Sequence, residues 1–142
     1  MAADARFTGL WRLVSLSRKE PDGKIVHPFG ESPVGYIAYY TTGHMGVHIM
    51  RRDRKPFAAG PGSATPEEKI VAFDTFTAYC GTYSVNESEK AVIHHVQASS
   101  SPNNVGSDQK RLFTFTGNRL ILRVAPSTAN PAATEVVWER VS

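Results

Sequence analysis

The chain has 142 residues, 41% hydrophobic and 20% charged, with 16 Lys+Arg against 13 Asp+Glu and a formal net charge of +3. That length makes one domain, residues 1–142, able to bury a core unaided, and the charge is too weak and scattered for a nucleic-acid face, which needs clustered cations with interleaved aromatics. No apolar run approaches the ~20 residues of a membrane span, Met1-Ala2-Ala3-Asp4-Ala5-Arg6 lacks the apolar core of a secretory leader, and the single cysteine, Cys80, excludes an internal disulfide. A cytoplasmic protein is expected.

Residues 7–19 read as a first strand, with Leu10, Val14 and Leu16 on one face and Trp11, Leu13 and Ser15 on the other. Gly9 lets the backbone turn tightly before the large Trp11 ring. Pro21-Asp22-Gly23 is a turn, residues 24–27 a short strand, and the segment from Pro28 to Pro33 a rigid irregular stretch suited to one lip of a cavity. Residues 34–41 form an aromatic strand, and alternation is read here with Tyr36, Ala38 and Tyr40 inward. After the Thr42-Gly43 turn, residues 44–51 return with Met45, Val47 and Ile49 as the core row and His48 outward or near a lip.

Residues 51–64 are a long charged loop rich in Pro and Gly, read as a lid or rim. Thr65-Pro66-Glu67-Glu68 has the signature of a helix start: N-cap threonine, proline at the first position and an acidic first turn. The helix is expected over about 66–78, with Ile70, Phe73, Phe76 and Thr77 packing on the sheet.

Strand pattern resumes at residues 78–85, where Tyr79, Gly81, Tyr83 and Val85 share a row and Cys80 reads as a packed thiol. In residues 90–99 the more apolar row is Val92, His94, Val96 and Ala98. Neighbouring side chains point to opposite faces, so His94 is placed inward and His95 outward. A polar loop follows, then residues 109–116 with Arg111, Phe113 and Phe115 in one row. Gly117-Asn118 turns the chain into residues 119–125, and residues 134–141 end it with Trp138-Glu139-Arg140. Eight to nine strands, one inserted helix and no βαβ rhythm predict an all-β, up-and-down antiparallel barrel, with a β-sandwich as the runner-up.

Two ends of the chain match a family pattern. Gly9-Leu10-Trp11 resembles the Gly-x-Trp signature of the lipocalins, and Arg140 resembles the arginine that lies over that tryptophan and closes the barrel. The internal motifs, in this order, are Pro28-Phe29-Gly30, Val34-Gly35-Tyr36, Gly43-His44-Met45, the Thr65 helix start, Gly81-Thr82-Tyr83, His94-His95-Val96, Pro102-Asn103-Asn104-Val105-Gly106 and Trp138-Glu139-Arg140. Together they resemble the bacterial and fungal lipocalin-like domain proteins over nearly the whole chain. The resemblance implies a calycin-type barrel. It also implies either carriage of a hydrophobic ligand or cofactor-independent cyclase, isomerase or lyase chemistry.

By row parity the interior comprises Tyr36, Ala38, Tyr40, Met45, Val47, Ile49, Tyr83, His94, Arg111, Phe113 and Trp138, an aromatic lining with a few polar tips suited to a small molecule. The alternative is a filled barrel whose polar groups satisfy one another. For catalysis, His94 is the general acid or base, Arg111 the holder of a carboxylate or enolate, and Tyr83 or Tyr40 a proton donor. Structurally read, His94 is a core histidine and Arg111 a barrel-end packing residue. Tyr36, Tyr40, Met45, Val47, Ile49, Phe113 and Trp138 are the ligand-lining set. No cofactor or metal site is expected: adjacent His94 and His95 cannot face one ion, and zinc needs three or four converging ligands. The expected partner is a small molecule, with no nucleic acid and no membrane; a homodimer is compatible with exposed tyrosines. Two functional classes stay open, a binding protein and a cofactor-free enzyme, with a weaker third, a protein-binding module using the 51–64 loop.

Overall fold

Runs of β-branched and aromatic residues, punctuated by Gly, Asn and Asp turns, fold into strands wherever one face can be buried. The computed structural model describes residues 3–128 and 130–142; Met1 and Ala2, the start of the N-terminal stretch read above, and Ala129 lie outside it. The strands are β1 (Gly9–Lys19), β2 (Ile25–Val26), β3 (Val34–Tyr39), β4 (His44–Met50), β5 (Phe76–Asn86), β6 (Ala91–Ser99), β7 (Asp108–Thr116), β8 (Arg119–Val124) and β9 (Ala133–Arg140). Each main strand pairs antiparallel with the next, from β1 through β3 to β9. Pairing of β1 with β9 closes an eight-stranded barrel, and β2 is an extra strand beside β1. Closure leaves the main sheet no long free edge.

The inner rows follow from register. Trp11 pairs with Ile37, Ile37 with Val47, and Tyr39 with Met45. Met45, Val47 and Ile49 are buried as the strand pattern predicts. The turn from Tyr40 to His44 pairs odd positions with odd, so Ile37 and Tyr39 must join that row. This corrects the assignment of Tyr36 and Tyr40, which stand on the outer face at 46% and 53% exposure. Two bulges shift other rows. One between Leu13 and Ser15 turns Leu16 inward after Trp11 and Leu13. The second opposes β5 at Cys80/Gly81, so Ala98 pairs with Cys80 and both are exposed. Each extra residue reverses the alternation beyond it, and Cys80 is therefore not a packed thiol.

Helix α1 (Pro66–Asp74) starts with the capping box expected at Thr65 and Glu68. It ends four residues early, because Phe76 and Thr77 pair with Met50 and Ile49 as the start of β5. None of its residues is buried, and Ile70, Val71 and Phe73 are exposed, contrary to the expected packing on the sheet. The helix is tied instead to the preceding loop: Glu68 accepts from the Ala58 amide, and Arg54 donates to the Ala72 carbonyl and the Thr75 hydroxyl. No helix among the described residues is long and apolar enough to cross a membrane.

The N-terminal turn stoppers one end of the barrel. Phe7 is fully buried and packs edge-on against Tyr39, Phe113 and Phe115. Trp11 Nε1 donates to the Phe7 carbonyl at 2.9 Å. The Arg140 guanidinium lies 4.2 Å from the Trp11 ring centre and donates to the carbonyls of Thr8 and Arg6. At Gly9, φ is +130°, and a Cβ there would meet the Ser142 carbonyl oxygen at 2.3 Å, so the glycine before Trp11 is sterically required. An Arg140→Ala change removes a cation–π contact and two charge-assisted hydrogen bonds. It should cost about 2 kcal/mol, read as a lower urea midpoint at unchanged slope.

Candidate functional site

The barrel interior has two tiers. The lower tier, next to the N-terminal stopper, is packed: Trp11, Ile37, Tyr39, Met45, Tyr83, Val92, Leu120 and Trp138 are all at most 2% exposed. Higher on the same inner rows stand Tyr79, Ser99, Gln109, Arg111, Val124, Thr134 and Val136, none fully buried. Phe29, from the Pro28–Pro33 segment, packs against the core cluster from this upper end. The lower tier is thus a floor, and the upper tier a half-buried, mixed-polarity mouth.

His94 sits at the boundary, 1% exposed. Its Nε2 is 2.7 Å from the Tyr39 hydroxyl below, and its Nδ1 is 2.7 Å from the Tyr79 hydroxyl above. A neutral imidazole donates from one nitrogen and accepts at the other. Tyr39 is fully buried and its hydroxyl has no second partner among the described residues. Its one proton is therefore spent on Nε2, which leaves the Nδ1–H to donate to Tyr79. The Tyr79 hydroxyl hydrogen then remains free for the mouth. The tautomer follows from this accounting of donors.

Electrostatics agree with a neutral relay. Burial, reinforced by the nearby positive Arg111, pushes the His94 pKa down to about 3. Burial raises Tyr39 well above its ordinary value. Burial also raises Tyr79, opposed by Arg111, whose charge favours the phenolate. The Arg111 guanidinium donates to the Lys110 carbonyl at 3.1 Å and to Gln109 Oε1 at 3.3 Å, and among the described residues it has no carboxylate partner.

Sequence reasoning placed His94 and Arg111 inward, and the fold brings them together. Tyr83 pairs with His94 across the sheet, but its hydroxyl accepts the Asp4 amide at 2.9 Å in the floor, away from the mouth. Met45, Val47, Ile49, Phe113 and Trp138 are all inward and all belong to the packed core, where the buried indole N–H of Trp138 has no partner among the described residues. His95 points outward, between the Ser84 hydroxyl and Asp108. Tyr79 was missed as a site residue, although it shares the inward row with Tyr83. Which of the two hydroxyls meets the imidazole depends on strand tilt and the β5–β6 bulge, neither visible in alternation.

A surface cavity of about 1050 Å³ lies outside the barrel, between the 51–64 loop and α1. It contains none of the buried titratable groups, whereas Tyr39, His94 and Tyr79 line up from the floor to the mouth, where Arg111 has no carboxylate partner among the described residues. Convergence of perturbed groups is the better mark of a site.

The comparisons bear on this geometry. The family model described as "Lipocalin-like domain" matches residues 8–141. The chain is 34% identical over 84 residues to the "4'-hydroxy-3'-methoxypropiophenone carrier protein ppsC" of Aspergillus oryzae, an alignment that spans 55% of this chain and 72% of that relative. No solved structure matches the chain. With Gly9, Trp11 and Arg140 closing one end of an eight-stranded barrel and the family match running from β1 to the last residues, the chain belongs to the lipocalin-like domain family.

Proposed function

We propose that this protein is a carrier that takes a small aromatic molecule into the upper tier of its barrel. The observation that supports this most is the relay from Tyr39 through His94 to Tyr79, which ends in a hydroxyl donor beside Arg111 at the half-buried upper end of the barrel. Such sites combine an apolar wall with a few fixed polar groups. A relative named as the carrier of an aryl ketone supports the ligand class.

Direct acid–base work by His94 fits less well. Both ring nitrogens are occupied, and the ring is sealed beneath Tyr79. A cofactor-free isomerase, cyclase or lyase would have to move its proton through Tyr79, with Arg111 holding the enolate.

Titration with 4'-hydroxy-3'-methoxypropiophenone, followed by quenching of the two tryptophans and by calorimetry, should give saturable one-to-one binding at micromolar Kd, about −8 kcal/mol. Lack of saturable binding by this ketone and by other aryl ketones and phenols would overturn the proposal. Recovery of a chemically altered ligand, with turnover lost in Arg111→Ala while binding persists, would favour the enzymatic reading.

A further inference from the structure

The polarity of the relay and the isolation of Arg111 constrain the ligand itself, on the premise that a ligand occupies the mouth as proposed above. Tyr79 accepts from His94 Nδ1–H and can only donate its remaining hydrogen forward. Receiving a hydrogen bond at its oxygen makes Tyr79 a stronger donor, because bonds in a chain polarise one another. Arg111 brings a fixed positive charge with five N–H donors; it is engaged by the Lys110 carbonyl and Gln109 Oε1 and bears on the Tyr79 oxygen, and among the described residues it meets no carboxylate. The titratable groups coupled to it are Tyr79 from β5, His94 from β6 and, deeper, Tyr39 from β3, all neutral. A half-buried guanidinium among neutral groups lacks an anion, and a planar oxyanion suits its fork.

We infer that the ligand is bound as an aryl oxyanion, a phenolate or carboxylate on an aromatic body, held by the Arg111 guanidinium and the Tyr79 hydroxyl. A phenol with an acyl group in the para position is the best-suited member. Its acyl group spreads the negative charge, so ionisation is easy, and the phenolate absorbs at longer wavelength than the phenol. The protein would then lower the ionisation pH of its own ligand, because the cation and the donor act on the charged form.

The test compares three probes on the wild-type protein: a 4-hydroxyphenyl ketone, its O-methyl ether and the matching 4-acylbenzoate. The phenol should bind at least tenfold more tightly than the ether, and the bound phenol should show its phenolate band at a pH where the free phenol is neutral. Arg111→Met should abolish both the preference and the band, Arg111→Lys should retain part of each, and Tyr79→Phe should weaken phenol binding more than ether binding. The benzoate arm distinguishes the two oxyanions: tight binding that also depends on Arg111 identifies carboxylates as ligands. Equal affinity for phenol and ether, with no phenolate band, overturns this inference while leaving the carrier reading intact. Failure of all three probes to bind removes the carrier reading itself. Unchanged thermal melting of the Arg111 and Tyr79 variants, measured alongside, separates lost recognition from lost fold.

Discussion

His94→Ala will destabilise the fold by about 3–5 kcal/mol, as do other aromatic-sized truncations in packed cores. The ring is 1% exposed and bridges two tyrosine hydroxyls at 2.7 Å each. Its removal leaves a cavity and strands the fully buried hydroxyl of Tyr39, which has no alternative partner among the described residues. His94→Gln should recover part of the loss by retaining one donor and one acceptor. The two variants also test the charge state. Unfolded, His94 titrates near 6.5; folded, near about 3. Between those values the unfolded chain binds the proton and the folded chain does not, so stability rises with pH. The contribution is fully present above about pH 6.5 and is lost as pH falls toward about 3, at about 1.4 kcal/mol per pH unit. Urea titrations at pH 7 and pH 4.5 should show wild type losing more stability than His94→Gln. Equal losses would mean that the folded imidazole accepts its proton freely.

Gly81→Ala should cost about 3 kcal/mol or more, in the range reserved for backbone conflicts in a core. A Cβ at Gly81 would stand 1.9 Å from the His95 carbonyl oxygen, 2.9 Å from its carbon and 3.1 Å from the Gln97 nitrogen. All three are backbone atoms, so no rotamer change relieves the overlap. The contact arises at the bulge, where β6 presses onto β5. Separating the strands would carry His94 away from Tyr79, so the variant should lose ligand affinity as well as stability. Circular dichroism melting and the ketone titration together check this. A stable Gly81→Ala protein with normal binding would mean that β6 shifts without disturbing the relay.

The site was legible in proportion to how local its determinants are. His94, Arg111 and Phe113 could be placed inward because simple alternation holds along those parts of β6 and β7. Tyr36 and Tyr40 could not, since their face depends on how the β3–β4 turn matches odd positions to odd. Tyr83 was favoured over Tyr79 although both lie in one row; the difference between them is height along the barrel.

By itself the sequence determined the strand list, the helix start at Thr65, the barrel's closing signature at Gly9, Trp11 and Arg140, and the inward imidazole. The strands, the helix start and the imidazole follow from short-range rules, side-chain alternation, turn chemistry and capping; the closing signature rests on the resemblance to the lipocalins. Tertiary structure alone decided which tyrosine hydroxyls meet His94, which face of β3 is inside, and that the α1 stripe stays uncovered. A bulge or a turn one residue longer reverses a face, and only closure of the ring of strands determines which reversals survive.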